Sequence, residues 1–193
     1  MKFSEMPYKR IDMEEVEKEY KSIIERTKNA KSGEEQFEIH REYYKFTADV
    51  QTSMELAMIR HDIDTTDEFY EKESDFYDEV GPIISQYENE YGKVLYDSPY
   101  RDYLESKIGK VTFKNIEIAN KAFDEKIIPL MQEENALSSR YSKLIATAKI
   151  PFEGEVYNLS LMKKFQTSPD RELRRKAWKA VSDYFHAFLL NSR

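Results

Sequence analysis

Residues 65–96 read TTDEFYEKESDFYDEVGPIISQYENEYGKVLY, and this stretch decides the fold. Phe69, Phe76, Val80, Ile84, Tyr87, Tyr91 and Leu95 recur at intervals of three, four and seven residues. That spacing lines one face of an α-helix, whereas a half-buried strand would alternate. Thr65 with Glu68 three positions on is a capping box, in which side chains satisfy the backbone N–H groups that open a helix. Gly81-Pro82 falls inside the pattern. Proline donates no N–H and its ring collides with the preceding turn, so a kinked or divided helix is expected there.

The same signals repeat on both sides. Upstream, Asp12 and Glu15 open a helix carrying Val16, Tyr20, Ile23 and Ile24. Ser32-Gly33-Glu34-Glu35 opens a longer one through Phe37, Tyr44, Val50, Met54 and Met58 to about Arg60. Downstream, Ser98-Pro99 reads as a cap followed by proline at the first helical position, with Gly109 as the stop. Further helices are expected over about 111–122 and 124–148, the second with Pro129 near its start. Lys149-Ile150-Pro151-Phe152 and Val156-Tyr157-Asn158-Leu159 flank Glu153-Gly154-Glu155 and read as two short strands around a turn. Ser168-Pro169-Asp170 opens a last helix with Ala177, Trp178, Val181, Phe185 and Phe188. The expected class is all-α: long antiparallel helices with one small β-hairpin near residues 149–159, in a single helical region over 1–193. Phe188-Leu189-Leu190 end the chain without a helix stop signal. A missing packing partner and a terminal helix packed on its own core are both open readings.

Composition agrees with long helices. Gly and Pro number 5 and 6 in 193 residues, roughly half of average usage. The absence of Cys excludes disulfide scaffolds, thiolate zinc sites and cysteine nucleophiles. No apolar run approaches the length of a membrane span, and MKFSEMPYKR does not read as a signal peptide, so a cytoplasmic protein without a membrane partner is expected. A net charge of −7 opposes general nucleic-acid binding, which depends on Lys and Arg. Against that background, Lys163, Lys164, Arg171, Arg174, Arg175, Lys176 and Lys179 face only Asp170 and Glu172 in their segment. A basic helix beside an acidic body is most simply an intramolecular or interdomain contact, so nucleic acid is not an expected partner.

Catalytic motifs are missing. The three histidines, His40, His61 and His186, form neither HExxH nor Glu-x-x-His, so no metal site is expected in this chain. Five isolated glycines cannot build a phosphate-cradling loop. Glu133-Glu134 is a carboxylate pair of the kind that solvates a helix face, with acid–base work as the alternative. Arg60-His61-Asp62-Ile63-Asp64-Thr65 joins two long helices. There His61 and Asp64 can hydrogen-bond across the turn while Asp64 and Thr65 cap the next helix.

FSEMPYKR, RHDIDT, DEFYEKESDFYDEVGP, EENALSSRYSKLIATAKIPFEGEVYNLSLM and TSPDRELRRKAW, in this order, resemble the N-terminal region of oligoendopeptidase F. That family belongs to the thimet-type zinc metallopeptidases, and the likeness runs from about Phe3 to about Phe185. The resemblance implies a cytoplasmic, mostly helical hydrolase with a deep channel admitting short peptides. It also implies zinc held by HExxH and a further Glu in a C-terminal catalytic region, where the motif Glu activates water. None of these residues is present here. The chain is therefore expected to form a wall of the substrate channel, to bind no zinc, to be inactive alone, and to have the catalytic region as a partner. Arg60, His61, Asp64 and Tyr141 match family-like segments and are the candidate channel or interdomain contacts; no catalytic residue is carried over. From about His186 the pattern departs from the family, as in a chain cut short or a gene fragment. The alternative is a stand-alone helical module that binds a peptide or partner helix without catalysis.

Overall fold

A computed structural model describes the backbone of residues 2–191 and the side chains of residues 2–187. The side chains of Phe188, Leu189 and Leu190 therefore lie outside the described residues. The elements are α1 (Met13–Asn29), α2 (Gly33–Ile63), α3 (Glu68–Tyr96), α4 (Arg101–Ile108), α5 (Lys110–Ala122), α6 (Ile128–Ala146), β1 (Ile150–Phe152), β2 (Glu155–Tyr157), α7 (Leu159–Gln166) and α8 (Arg171–Asn191). Short 3-10 turns cover Phe3–Glu5 and Glu125–Ile127. The all-α class with one small hairpin is thus observed. Two compact units divide the chain within α6, one reaching Ala136 and the other starting at Leu137.

In the first unit α1, α2 and α3 pack on one another. The side-chain pairs give their directions. Arg26 meets Glu42 while Gln36 reaches Thr27, and His40 meets Tyr91 while Arg60 meets Tyr70. The middle helix α2 therefore runs antiparallel to both neighbours. Val16, Tyr20, Val50, Ala57, Tyr77, Val80 and Ile84 form one core cluster. Ile23, Ile24, Ile39, Tyr91, Leu95, Leu104 and Phe113 form a second, which α4 and α5 complete. Aromatic packing joins them: Tyr20 stacks on Tyr87 with centroids 5.4 Å apart, and Tyr43 on Tyr91 at 3.7 Å. Such pairs add to simple area burial because ring edges and faces carry opposite partial charge. Gly33 permits the close approach of α2 to α4, since a β-carbon there would lie 2.7 Å from Cδ1 of Tyr103.

Several expectations need correction. Helix α3 continues through Pro82, so of the kinked and divided alternatives the division is not seen. Proline leaves the carbonyl of Asp78 without its usual donor four residues on. Asn135 Nδ2 donates to that carbonyl at 3.2 Å, and Gln132 Nε2 donates to the carbonyl of Glu79 at 2.8 Å. Two amides of α6 thus donate to carbonyls in the turn before Pro82. Capping of α3 belongs to Asp67, whose Oδ1 accepts from the N–H groups of Phe69 and Tyr70, not to Thr65 or Asp64. Tyr44, Met58, Phe69 and Trp178 were placed on apolar stripes but are exposed. At Tyr44 the reason is visible: its neighbour Tyr43 takes the inward position against Tyr91. Helix α4 begins at Arg101, because Ser98–Arg101 forms a turn closed by Arg101 N–H donating to Ser98 O at 3.2 Å. It ends at Gly109, whose φ of +92° lets the chain turn directly into α5.

In the second unit β1 and β2 pair antiparallel, Ile150 opposite Tyr157 and Phe152 opposite Glu155. Glu153 and Gly154, with φ of 48° and 87°, make the two-residue turn that matches the twist of paired strands. Helix α7 was missed by the sequence reading. Asn158 caps it, accepting from Leu161 N–H at 2.8 Å, in a stretch read as strand end and basic run. Its Met162 packs with Ile150, Phe152 and Ala177 in a separate small core.

Candidate functional site

The resembling segments near the N-terminus converge in space. Arg60, in the last turn of α2, donates through Nη1 to Tyr70 Oη at 2.7 Å and through Nη2 to Met6 O at 2.5 Å. Its guanidinium also lies over the rings of Phe3 and Tyr70. One turn along α3, Glu73 is only 4% exposed. Its carboxylate accepts from Arg10 Nε at 2.8 Å, from Arg10 Nη2 at 2.5 Å, and from the Tyr8 hydroxyl. Burying a carboxylate is costly unless charge and hydrogen bonds compensate it, and this bidentate pair does so. Arg10 holds the Glu73 carboxyl below the ordinary range, opposing the effect of burial. Burial raises Tyr8, and its bond to Glu73 adds to the shift. The result is a two-point clamp that fixes residues 3–10 against α2 and α3. Arg60 therefore has its donors engaged inside the protein.

The other candidates are placed differently. His61 has Asp62 as its nearest carboxylate, at 4.0 Å, and makes no hydrogen bond to Asp64. Asp64 instead accepts from the N–H and hydroxyl of Thr66 at 2.9 and 2.6 Å, which lowers its pKa. The expected bond across the turn is thus replaced by a local turn closed within residues 64–66. Tyr141 belongs to the second unit and is 60% exposed on α6. Glu133 and Glu134 are both exposed. Much of the basic run makes contacts inside its own unit: Lys176 with Glu153, Lys179 with Asp183, and Arg174 with the carbonyls of Ser168 and Pro169.

Sequence reasoning missed a groove between α3, α5 and the start of α6, with a volume of about 430 Å³. Its walls are Ser85, Glu88, Asn89 and Gly92 on α3, Ile116, Ala119 and Asn120 on α5, then Phe123, Ile127 and Met131. Apolar surface dominates. The polar end consists of Glu88 and the amide pair in which Asn89 Nδ2 donates to Asn120 Oδ1 at 3.3 Å. Glu88 is open to solvent along the groove, yet the protein atoms crowding it push its carboxyl upward, with the Tyr20 hydroxyl at 3.4 Å opposing the shift. A visible signal existed: Glu88-Asn89 and Gly92 are polar or small residues beside the buried stripe of α3. Nothing in their spacing, however, tells which helix lies opposite.

Zinc does not fit the described residues. Among them no group of three or more His, Asp or Glu side chains is arranged to hold a metal ion. His40 Nδ1 is 3.0 Å from the Tyr91 hydroxyl, and burial lowers its pKa. No described helix is long and apolar enough to cross a membrane.

The family described as Peptidase M3 N-terminal domain matches residues 3–123. A structure of PZ peptidase A with an inhibitor is 39% identical with a TM-score of 0.94, covering 98% of this chain and 34% of its own. A 3.1 Å structure described as an oligoendopeptidase F is 38% identical with a TM-score of 0.94, covering 99% and 34%. Another so described, from Bacillus anthracis str. Ames, is 36% identical with a TM-score of 0.92, covering 97% and 34%. The chain thus spans about a third of these structures' length. No curated protein gives a significant match. Matched over residues 3–123 to the family's N-terminal domain, and in fold over nearly its whole length, the chain belongs to the M3 peptidase family.

Proposed function

We propose that this chain is one helical wall of the substrate channel in an M3 oligoendopeptidase that hydrolyses short peptides. The observation carrying this reading is the fold match over 98% of the chain to only 34% of a peptidase. Zinc and the water-activating Glu belong, in this proposal, to the HExxH region found in the remaining length of such enzymes. In this reading the chain contributes no ligand: neither HExxH nor Glu-x-x-His occurs in its sequence. Without a metal to polarise the carbonyl and acidify bound water, peptide hydrolysis loses its main catalytic contributions.

Within this reading the exposed Tyr141 and Asp64, with His61, are contacts to peptide or to the catalytic region, and Arg60 acts behind them by fixing residues 3–10. A cytoplasmic location and a single functional wall over 1–193 belong to the same proposal. The test is cleavage of a quenched fluorescent oligopeptide with zinc present. It is run on the chain alone, with a chelator, and after mixing with a separately produced HExxH region of an oligoendopeptidase. Silence alone and chelator-sensitive turnover on mixing are expected. Turnover by the chain alone would overturn the reading. Peptide binding with no turnover on mixing would favour the stand-alone module, which the self-contained groove on the first unit also permits.

A further inference from the structure

The groove between α3, α5 and the start of α6 has a chemistry that channel wall alone does not explain. Its volume of about 430 Å³ lies in the range of small-molecule sites, roughly 300–1,000 Å³. Apolar side chains line most of it, and its polar end presents the Glu88 carboxylate beside the Asn89–Asn120 amide pair. Glu88 forms no ion pair among the described residues, its one hydrogen bond coming from the Tyr20 hydroxyl at 3.4 Å. Asn89 is 8% exposed, and its Oδ1 is buried without a hydrogen-bond donor among the described residues. Asn120 orients that amide by accepting from its Nδ2.

Three cations, Lys28 on α1 and Lys114 and Lys121 on α5, are engaged elsewhere. Lys28 pairs with Glu90 at 3.4 Å, and Lys114 and Lys121 pair with Glu117 at 3.0 and 2.6 Å. A carboxylate at the polar end of an apolar groove is complementary to an ammonium group on an apolar stem. An anion would meet Glu88 directly, and a neutral apolar ligand would leave its charge without a counter-charge.

We propose that this groove binds a small primary amine, its ammonium at Glu88 and its apolar stem along Ile116, Ala119 and Met131. The site goes beyond the channel-wall reading and does not depend on peptidase activity.

The test is a methyl NMR titration of the full chain with n-hexylammonium, with n-hexanol as the neutral analogue and a free-amine leucine tripeptide as the peptide source of the same group. Hexylammonium is expected to shift the methyls of Ile116, Ile127 and Met131 saturably, about tenfold more tightly than hexanol. Glu88→Gln keeps an acceptor for Tyr20 but removes the charge, and should bring the two ligands to about equal affinity. Glu90→Gln, outside the groove, should leave the preference intact. Ala119→Trp places an indole on the groove's apolar wall and should abolish both titrations. Equal binding of hexanol and hexylammonium by the unaltered chain would overturn the proposal. So would an unchanged preference in Glu88→Gln, or binding of the tripeptide without hexylammonium.

Discussion

Replacing Asn135 by Ala should destabilise the first unit only as long as Pro82 is present. Pro82 removes the N–H that would bond the Asp78 carbonyl in a regular helix, and Asn135 Nδ2 supplies the substitute at 3.2 Å. An unsatisfied buried acceptor costs about 1–3 kcal/mol. Asn135 is half-buried, so Asn135→Ala should cost about 1.5 kcal/mol. In a Pro82→Ala background the new N–H can reach the Asp78 carbonyl itself, and the same substitution should cost less than about 0.5 kcal/mol. Gln132→Ala is the internal control. The Glu79 carbonyl it serves keeps the Ile83 N–H as a helical partner, so its loss should matter less in either background. Urea unfolding of the four proteins of the cycle, followed by circular dichroism at constant m-value, reads the coupling directly. Equal costs of Asn135→Ala in both backgrounds would refute the idea that α6 amides repair the proline break.

Arg10→Met should cost about 1–2 kcal/mol, below the value for a fully buried pair because the Arg10 side chain is 45% exposed. Glu73 is held below its ordinary pKa by Arg10, so its contribution is present above the unfolded value and lost as pH falls through the folded one. The cost of Arg10→Met should therefore be largest near pH 7 and shrink as pH falls below the ordinary carboxylate range, as read by denaturation at several pH values; a flat profile would contradict the clamp. Gly33→Ala should destabilise by about 1–3 kcal/mol in the same assay, because its β-carbon meets Tyr103 at 2.7 Å; Gly33→Ala with Tyr103→Ala should recover part of that loss. Gly109→Ala should cost about 1 kcal/mol through its positive φ, with Gly81→Ala as a control that meets no neighbour within 4 Å.

Local chemistry was legible wherever one segment decides the outcome by itself. Asp12, Ser32 and Gly109 mark helix ends because capping depends on side chains within three residues and on backbone φ at one position. The hairpin followed from Glu153-Gly154 for the same reason. Val16, Tyr20, Ile23 and Ile24 were read as a buried stripe and are buried, since α1 presents one face to its neighbours. Family membership was equally legible, because ordered strings carry it without geometry. What the sequence could not decide is everything that needs a second helix. Tyr43 rather than Tyr44 turns inward because Tyr91 lies opposite. Arg60 becomes a clamp because Met6 and Tyr70 arrive beside it from segments 54 and 10 residues away. Pro82 withholds an N–H from the Asp78 carbonyl, and Asn135 of α6 donates to it instead. Periodicity records which residues share a face, but the partner of that face is set by packing between segments distant in the chain.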